Sequence, residues 1–162
     1  MSETSRTRNA PKSETSRHFG MKSINPYVNF NGTAEEAMNF YQSVLGGEFL
    51  MLQRFSDMPE GDKIPENERG RVMHVSLRLP NGAVLMASDT LPSSGNPEAT
   101  GNNFYLSIST DSEAEADAFY NGLSAGGTIE MPLGKTFWNA YFGMFADKFG
   151  IRWIINYDYP AA

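Results

Sequence analysis

The sequence predicts an α+β fold built from two βαβββ modules that arose by internal duplication. Three observations carry that expectation. First, "TAEEAMNFYQSVLGG" (Thr33–Gly47) and "SEAEADAFYNGLSAGG" (Ser112–Gly127) share a hydroxyl residue, a Glu three places later, a Phe-Tyr pair and a glycine stop. Second, a strand with one polar face precedes each copy. Third, three more strand-like segments follow each copy. Sliding by 79 residues superposes Thr33 on Ser112, Glu36 on Glu115, Ala37 on Ala116, Phe40 on Phe119, Tyr41 on Tyr120 and Gly47 on Gly126. One capping box with Phe-Tyr could arise by chance. Box, pair, glycine stop and polar-faced strand together indicate a repeat.

The elements follow in order. "INPYVNFNG" alternates, with Asn25, Tyr27, Asn29 and Asn31 on one face and Pro26, Val28 and Phe30 on the other, as a half-buried strand does. Thr33 and Glu36 form the signature of a capping box. Ala34, Ala37, Met38, Tyr41 and Val44 or Leu45 recur at helical spacing, and Gly46–Gly47 ends the helix. "EFLMLQRF" is a second strand. Residues 56–70 form a polar loop with two prolines. "RVMHVSLRLP" and "AVLMASD" are strands joined through the hairpin signal Asn81-Gly82. In the second copy, "NNFYLSIST" sets Asn103, Tyr105, Ser107 and Ser109 against Phe104, Leu106 and Ile108. Ser112 and Glu115 form the second box, and Ala116, Phe119, Tyr120 and Leu123 the second stripe. "TIEMPLGKTFW", "AYFGMFAD" and "IRWIINY" complete the module, with "DKFG" as the last turn.

These elements divide the chain into a disordered basic tail (1–21), a first module (22–92), a linker (93–101) and a second module (102–160). The tail holds Arg6, Arg8, Lys12 and Arg17 against Glu3 and Glu14 and has no apolar core, unlike a secretion signal. The other 142 residues carry nine basic and seventeen acidic side chains, a surface that repels phosphate backbones, so nucleic-acid binding is not expected. No apolar run is long enough to span a bilayer. The chain has no cysteine, which excludes disulfides and thiolate metal sites and fits a reducing compartment. A cytoplasmic location is expected.

The pattern resembles the vicinal oxygen chelate superfamily, which includes glyoxalase I, bleomycin-resistance proteins and extradiol dioxygenases. Within it the chain is similar to the PhnB-like branch. The carrying residues are "INPYVNFNGTAEEAMNFYQSVLGGE", "HVSLRLPNGAVLMASD", "IEMP" (Ile129–Pro132), "TFW" (Thr136–Trp138) and "DKFGIRWIIN" (Asp147–Asn156), within about residues 22–158. The resemblance implies curved mixed sheets that form a cleft, often in a homodimer. Members of this branch sometimes carry a 3-demethylubiquinone methyltransferase label. This chain lacks the Gly-rich turn between strand and helix that a nucleotide-like cofactor needs, and its glycine pairs follow helices as caps.

The resemblance also implies a divalent metal held by His, Gln or Glu from the first and last strands of each module. Here the first strands offer Tyr27, Asn29, Tyr105 and Ser107, and the last strands Asp89 and Asn156 or Asp158. The usual four-ligand set is not visible, so no metal ligand is assigned and no cofactor is expected, with a divalent metal kept as the alternative. Three residues are candidates for catalysis. His74, the only histidine after the tail, is a cleft base or a hydrogen-bonded strand residue sharing a face with Val72, Ser76 and Arg78. Asp89 is a base, a ligand or a turn cap. Glu130 faces the cleft or an exposed edge. Candidate ligand-binding residues are Tyr27, Asn29, Tyr105, Ser107, Trp138, Tyr141 and Asn156, neutral hydrogen-bonding and aromatic groups that suit a small organic molecule. Lys135 stands where the family often has an acidic residue. The reading is a glyoxalase/bleomycin-resistance-like protein that binds a small molecule in a cleft between modules. The alternative is a metal-dependent lyase, isomerase or dioxygenase using His74 and Asp89.

Overall fold

The structure is a computed structural model and describes residues 19–95 and 101–161. Most of the expected tail, and residues 96–100 of the expected linker, lie outside the described residues. The chain runs β1 (Tyr27–Phe30), α1 (Ala34–Leu45), β2 (Glu48–Arg54), β3 (Val72–Arg78) and β4 (Val84–Asp89). It then repeats as β5 (Leu106–Ser109), α2 (Glu113–Ser124), β6 (Thr128–Lys135), β7 (Ala140–Ala146) and β8 (Arg152–Asp158). The strands form two four-stranded sheets, ordered β1-β4-β3-β2 and β5-β8-β7-β6. In each sheet the first strand runs parallel to the last and the remaining pairs are antiparallel. The fold is the α+β arrangement of two similar modules that the repeat predicted.

Each module buries one face of its sheet under its own helix. Ala34, Ala37, Met38 and Tyr41 of α1 are fully buried against Val75 and Leu77 of β3 and Leu85 and Ala87 of β4. Burying a side chain of the Met or Leu class stabilises the fold by about 1.5–3 kcal/mol. Ala116 and Leu123 of α2 do the same over Phe145, Trp153 and Ile155. The two helices also meet each other, and a Cβ added at Gly122 of α2 would stand 2.7 Å from Val44 Cγ1 of α1. One apolar core therefore runs through both modules. Among the described residues no α-helix covers the opposite face of either sheet.

The glycine stops have a second role beyond ending the helices. A Cβ on Gly47 would lie 2.3 Å from the Arg78 carbonyl oxygen, and one on Gly127 would lie 2.1 Å from that of Ala146. In both modules the chain leaving the helix passes directly over the neighbouring strand, and only glycine fits there.

The "DKFG" segment is a turn, as expected, but Asp147 also ties the modules together. Its buried carboxylate accepts hydrogen bonds from Tyr41 Oη (2.6 Å), Trp153 Nε1 (2.8 Å) and the N–H groups of Phe149 (2.8 Å) and Ile151 (3.0 Å). Burial, and then the adjacent Asp147 charge, push the Tyr41 phenol far above its ordinary range.

Two local expectations are corrected. Thr33 makes no side-chain cap bond, so the first capping box does not form. Asp89 takes its place, accepting from Gly32 N (3.0 Å) and Ala34 N (2.9 Å) through one oxygen and Val72 N (2.8 Å) through the other. Val72 was expected on the face of His74 but lies in the core. The register slips where Gln53 pairs with His74 and Arg54 pairs with Val72, and this bulge turns Val72 inward.

Candidate functional site

The helix-free face of the first sheet is read from its register. One row runs Tyr27, Met86, Ser76, Met51, and the next runs through Asn29, Ser88, His74 and Gln53. The hydroxyl of Tyr27, a residue 46% exposed, is 3.3 Å from His74 Nδ1, with the rings 5.6 Å apart. Ser88 Oγ donates to Asn29 Oδ1 at 2.9 Å. This face carries one imidazole, one phenol, small amides and hydroxyls and two thioethers. These two rows hold hydrogen-bonding groups without carboxylates, and one step along β3 the same face carries Arg78 opposite Glu48. Gln53, opposite His74, belongs to the same face and was not singled out from the sequence, because a bulge at Leu50 interrupts the alternation of β2.

Asp89 is not on this face. It pairs with the buried Phe30, is 5% exposed, and both its oxygens serve backbone N–H groups. The expected polar centre of His74 with Asp89 therefore does not form, because the two side chains leave opposite sides of the sheet. Asp89 acts as a cap, one of the roles its position in "MASD" left open.

The helix-free face of the second sheet carries Ser107, Ile154, Met144 and Met131 in one row and Ser109, Asn156 and Phe142 in the next. Glu130 sits at a register shift of the edge strand β6. Its carboxylate accepts from Tyr105 Oη (2.5 Å) and pairs with Arg152. Arg152 also donates to the Gly101 carbonyl (3.3 Å). With both oxygens engaged, Glu130 is an anchor for this end of the sheet rather than a free base. Arg152 escaped the sequence reading, although its place two residues from Ile154 and four from Asn156 in an alternating strand carried the signal.

At the other end stands Trp138, 49% exposed, with its ring 5.6 Å from Phe142 and 4.9 Å from the almost fully exposed Phe137. The turn that presents it is closed by Thr136, whose Oγ1 accepts from Ala140 N at 3.1 Å, and by Asn139 in the left-handed region (φ 64°). Asn156 Nδ2 donates to Asp158 Oδ1 (3.1 Å). Tyr141, expected in the cleft, points to the helix side and donates to Asp117 Oδ1 at 2.6 Å. That bond holds its proton and pushes the phenol up to about 12. Lys135 lies over the Tyr159 ring, 5.5 Å from its centroid, away from any acid role.

The structure thus gathers Tyr27, Asn29 and His74 on one face and Tyr105, Ser107, Glu130, Trp138 and Asn156 on another. Both sheets bury their helix side in one shared core, so each helix-free face lies on the far side of its own sheet from that core. Among the described residues no three His, Cys, Asp or Glu side chains come together as a metal site. The donor set of the first face, a single imidazole beside a phenol and amides, does not fit a four-ligand divalent site. No helix among the described residues is long and apolar enough to cross a membrane.

Comparison with known proteins agrees with this fold. Protein YjdN of Escherichia coli (strain K12) is 32% identical, over 82% of this chain and 93% of its own length. The crystal structure of protein PA1353 from Pseudomonas aeruginosa superposes with a TM-score of 0.76 at 39% identity, covering 85% of this chain and 98% of that one. A PhnB protein from Bacillus cereus, whose name also carries a 3-demethylubiquinone-9 3-methyltransferase label, gives 0.70 at 30% identity over 84% and 99%. Residues 23–155 match the family model for these folds, and the chain belongs to the Glyoxalase/Bleomycin resistance protein/Dioxygenase superfamily.

Proposed function

We propose that the protein binds a small organic molecule on the helix-free face around Tyr27, Asn29 and His74, without the four-ligand metal site of its enzymatic relatives. The observation that carries this reading is the uncovered face itself, with neutral hydrogen-bonding groups set among methionines and, among the described residues, no charged partner for His74. Such a surface recognises a flat or apolar ligand with a few polar atoms. In this reading the protein works as a homodimer. The first face of one copy meets the second face of another, so that Ser107, Trp138 and Asn156 close the cleft that a single chain leaves open. A cytoplasmic location belongs to the same proposal. The alternative, a metal-dependent lyase, isomerase or dioxygenase, has less support because His74 and Asp89 lie on opposite sides of the sheet.

A thermal-shift screen of small aromatic compounds and divalent metals, on wild type and His74→Ala, tests the reading, since a ligand that binds only the folded state must raise Tm. The expected result is a saturable rise with an organic compound that weakens about tenfold in His74→Ala, consistent with loss of a hydrogen bond in a closed site. A saturable rise with a metal alone, lost in the variant, would move the reading to the enzyme. A monomer by sedimentation would remove the shared cleft.

A further inference from the structure

The loop between β2 and β3 is the long segment that the first module has and the second lacks, and it is ordered by its own bonds. Arg69 donates to the carbonyls of Ile64 and Asp62, both at 2.8 Å. The buried Glu68 carboxylate accepts from Ser93 N (3.1 Å) and Ser93 Oγ (2.5 Å). Together with the β1–α1 turn, this loop walls a cleft of about 410 Å³. None of Tyr27, Asn29 and His74 lines it. Long loops that keep their own structure in a compact fold are commonly functional.

Two arginines line this cleft, and Arg71 is the one that makes no ion pair among the described residues. Its Nη1 donates to Asn31 Oδ1 (2.7 Å) and to the Thr90 carbonyl (2.9 Å). Its guanidinium lies against Gly32, where an added Cβ would stand 3.3 Å from Cζ. These contacts fix the guanidinium plane while Nη2 and Nε have no protein acceptor among the described residues. The same bond orients Asn31, whose oxygen accepts and whose amide N–H groups remain as donors. Thr33 adds a hydroxyl that makes no cap bond. The acidic side chains nearby already have partners. Glu35 pairs with Arg54 at 2.8 Å, and Asp89 accepts three backbone N–H groups. Arg71 forms no ion pair among the described residues. The end of α1 is not the recognition element, since Asp89 already takes the Ala34 N–H.

We propose that this cleft binds a small oxyanion, the phosphate or carboxylate group of a small molecule, with Arg71 as the charged anchor and Asn31 and Thr33 as neutral donors. A preoriented guanidinium with two parallel N–H groups left over matches the geometry of such a group. The site is independent of the sheet face described above.

The test titrates inorganic phosphate, and separately acetate, into the full chain against potassium chloride at matched ionic strength. It follows Tm and the NMR shift of the Thr33 amide. At least one anion should give a saturable response, and which one responds distinguishes the two sources. Arg71→Gln should weaken the apparent affinity about tenfold by removing a charge-assisted pair. Thr33→Val, which removes a hydroxyl that makes no cap bond, should weaken it about threefold. If Arg71→Gln does not fold, Thr33→Val, at an exposed position of the cleft, decides alone. The proposal is overturned if neither anion acts beyond chloride, or if the folded variants respond as wild type does.

Discussion

Helix α1 is capped from another strand, and helix α2 is capped by its own leading residue. Both begin with a hydroxyl residue followed three places later by Glu. Ser112, with extended backbone, accepts from Glu115 N at 3.1 Å. Thr33, at φ −113° and ψ 13°, makes no such bond, and Asp89 at the end of β4 caps α1 instead. The equivalent place on β8 is held by Ile155. Val28 pairs with Ala87 as Leu106 pairs with Trp153, and two steps further along the last strands stand Asp89 and Ile155. Both are buried. A carboxylate in that position reaches the helix N–H groups across the sheet, whereas an isoleucine fills core and leaves the cap to local chemistry. Duplication preserved the local signal in both modules, but one buried position decided which helix uses it.

The largest effect that breaks this comparison is Asp89→Ala. It leaves three backbone N–H groups without their acceptor and should cost about 3 kcal/mol, counting roughly 1 kcal/mol per bond. In a chain of this size that lowers Tm by roughly 10 °C in a calorimetric scan. Ser112→Ala should cost about 1 kcal/mol, the usual loss for an N-cap. Thr33→Ala should change Tm by less than about 1 °C, because no cap bond is lost. A drop equal to that of Ser112→Ala would mean both helices are capped alike.

A tyrosine–carboxylate bond fastens each helix, Tyr41 of α1 to Asp147 and Tyr141 of β7 to Asp117 of α2, and high pH sharpens the same contrast. The Tyr141 hydrogen bond to Asp117 raises the phenol from 10.0 to about 12. A group whose pKa is raised in the folded state gives stability that is complete below the unfolded value. That stability is lost as pH rises through the folded value. The wild type should therefore lose stability from about pH 10 to 12, and less steeply in Tyr141→Phe. Tyr41, pushed further by burial, contributes to the slope throughout that window. Stability measured by chemical denaturation at pH 8, 10 and 11 checks it, and an unchanged slope in Tyr141→Phe would refute the Asp117 bond.

The face that each candidate residue occupies was legible only where the strand alternates polar with apolar groups. Tyr27 and Asn29 stand opposite Val28 and Phe30, and the structure keeps that division. "AYFGMFAD" gives no such contrast. Tyr141 and Phe142 are both aromatic, and only the contact with α2 shows that the first faces the helix and the second the open side. Glu130 was visible as a carboxylate among apolar neighbours, but its partners Tyr105 and Arg152 come from positions 25 residues before it and 22 after it. Arg71 heads the expected strand "RVMHVSLRLP" and was not singled out. Its role in the cleft depends on Asn31 and on Gly32, which meets it only in the folded chain.

By itself the sequence determined the two modules, their helices, the order of their strands and the membership that this pattern implies. These follow from periodicity, glycine placement and repetition, which act over short stretches of chain. Only the tertiary structure decided that Asp89 caps a helix, that Asp147 joins the modules through Tyr41 and Trp153, and that the candidate ligand residues fall on the faces of two separate sheets. Those outcomes depend on which buried hydrogen-bonding groups find partners from distant segments. Leaving such groups unpaired costs too much for the fold to choose otherwise.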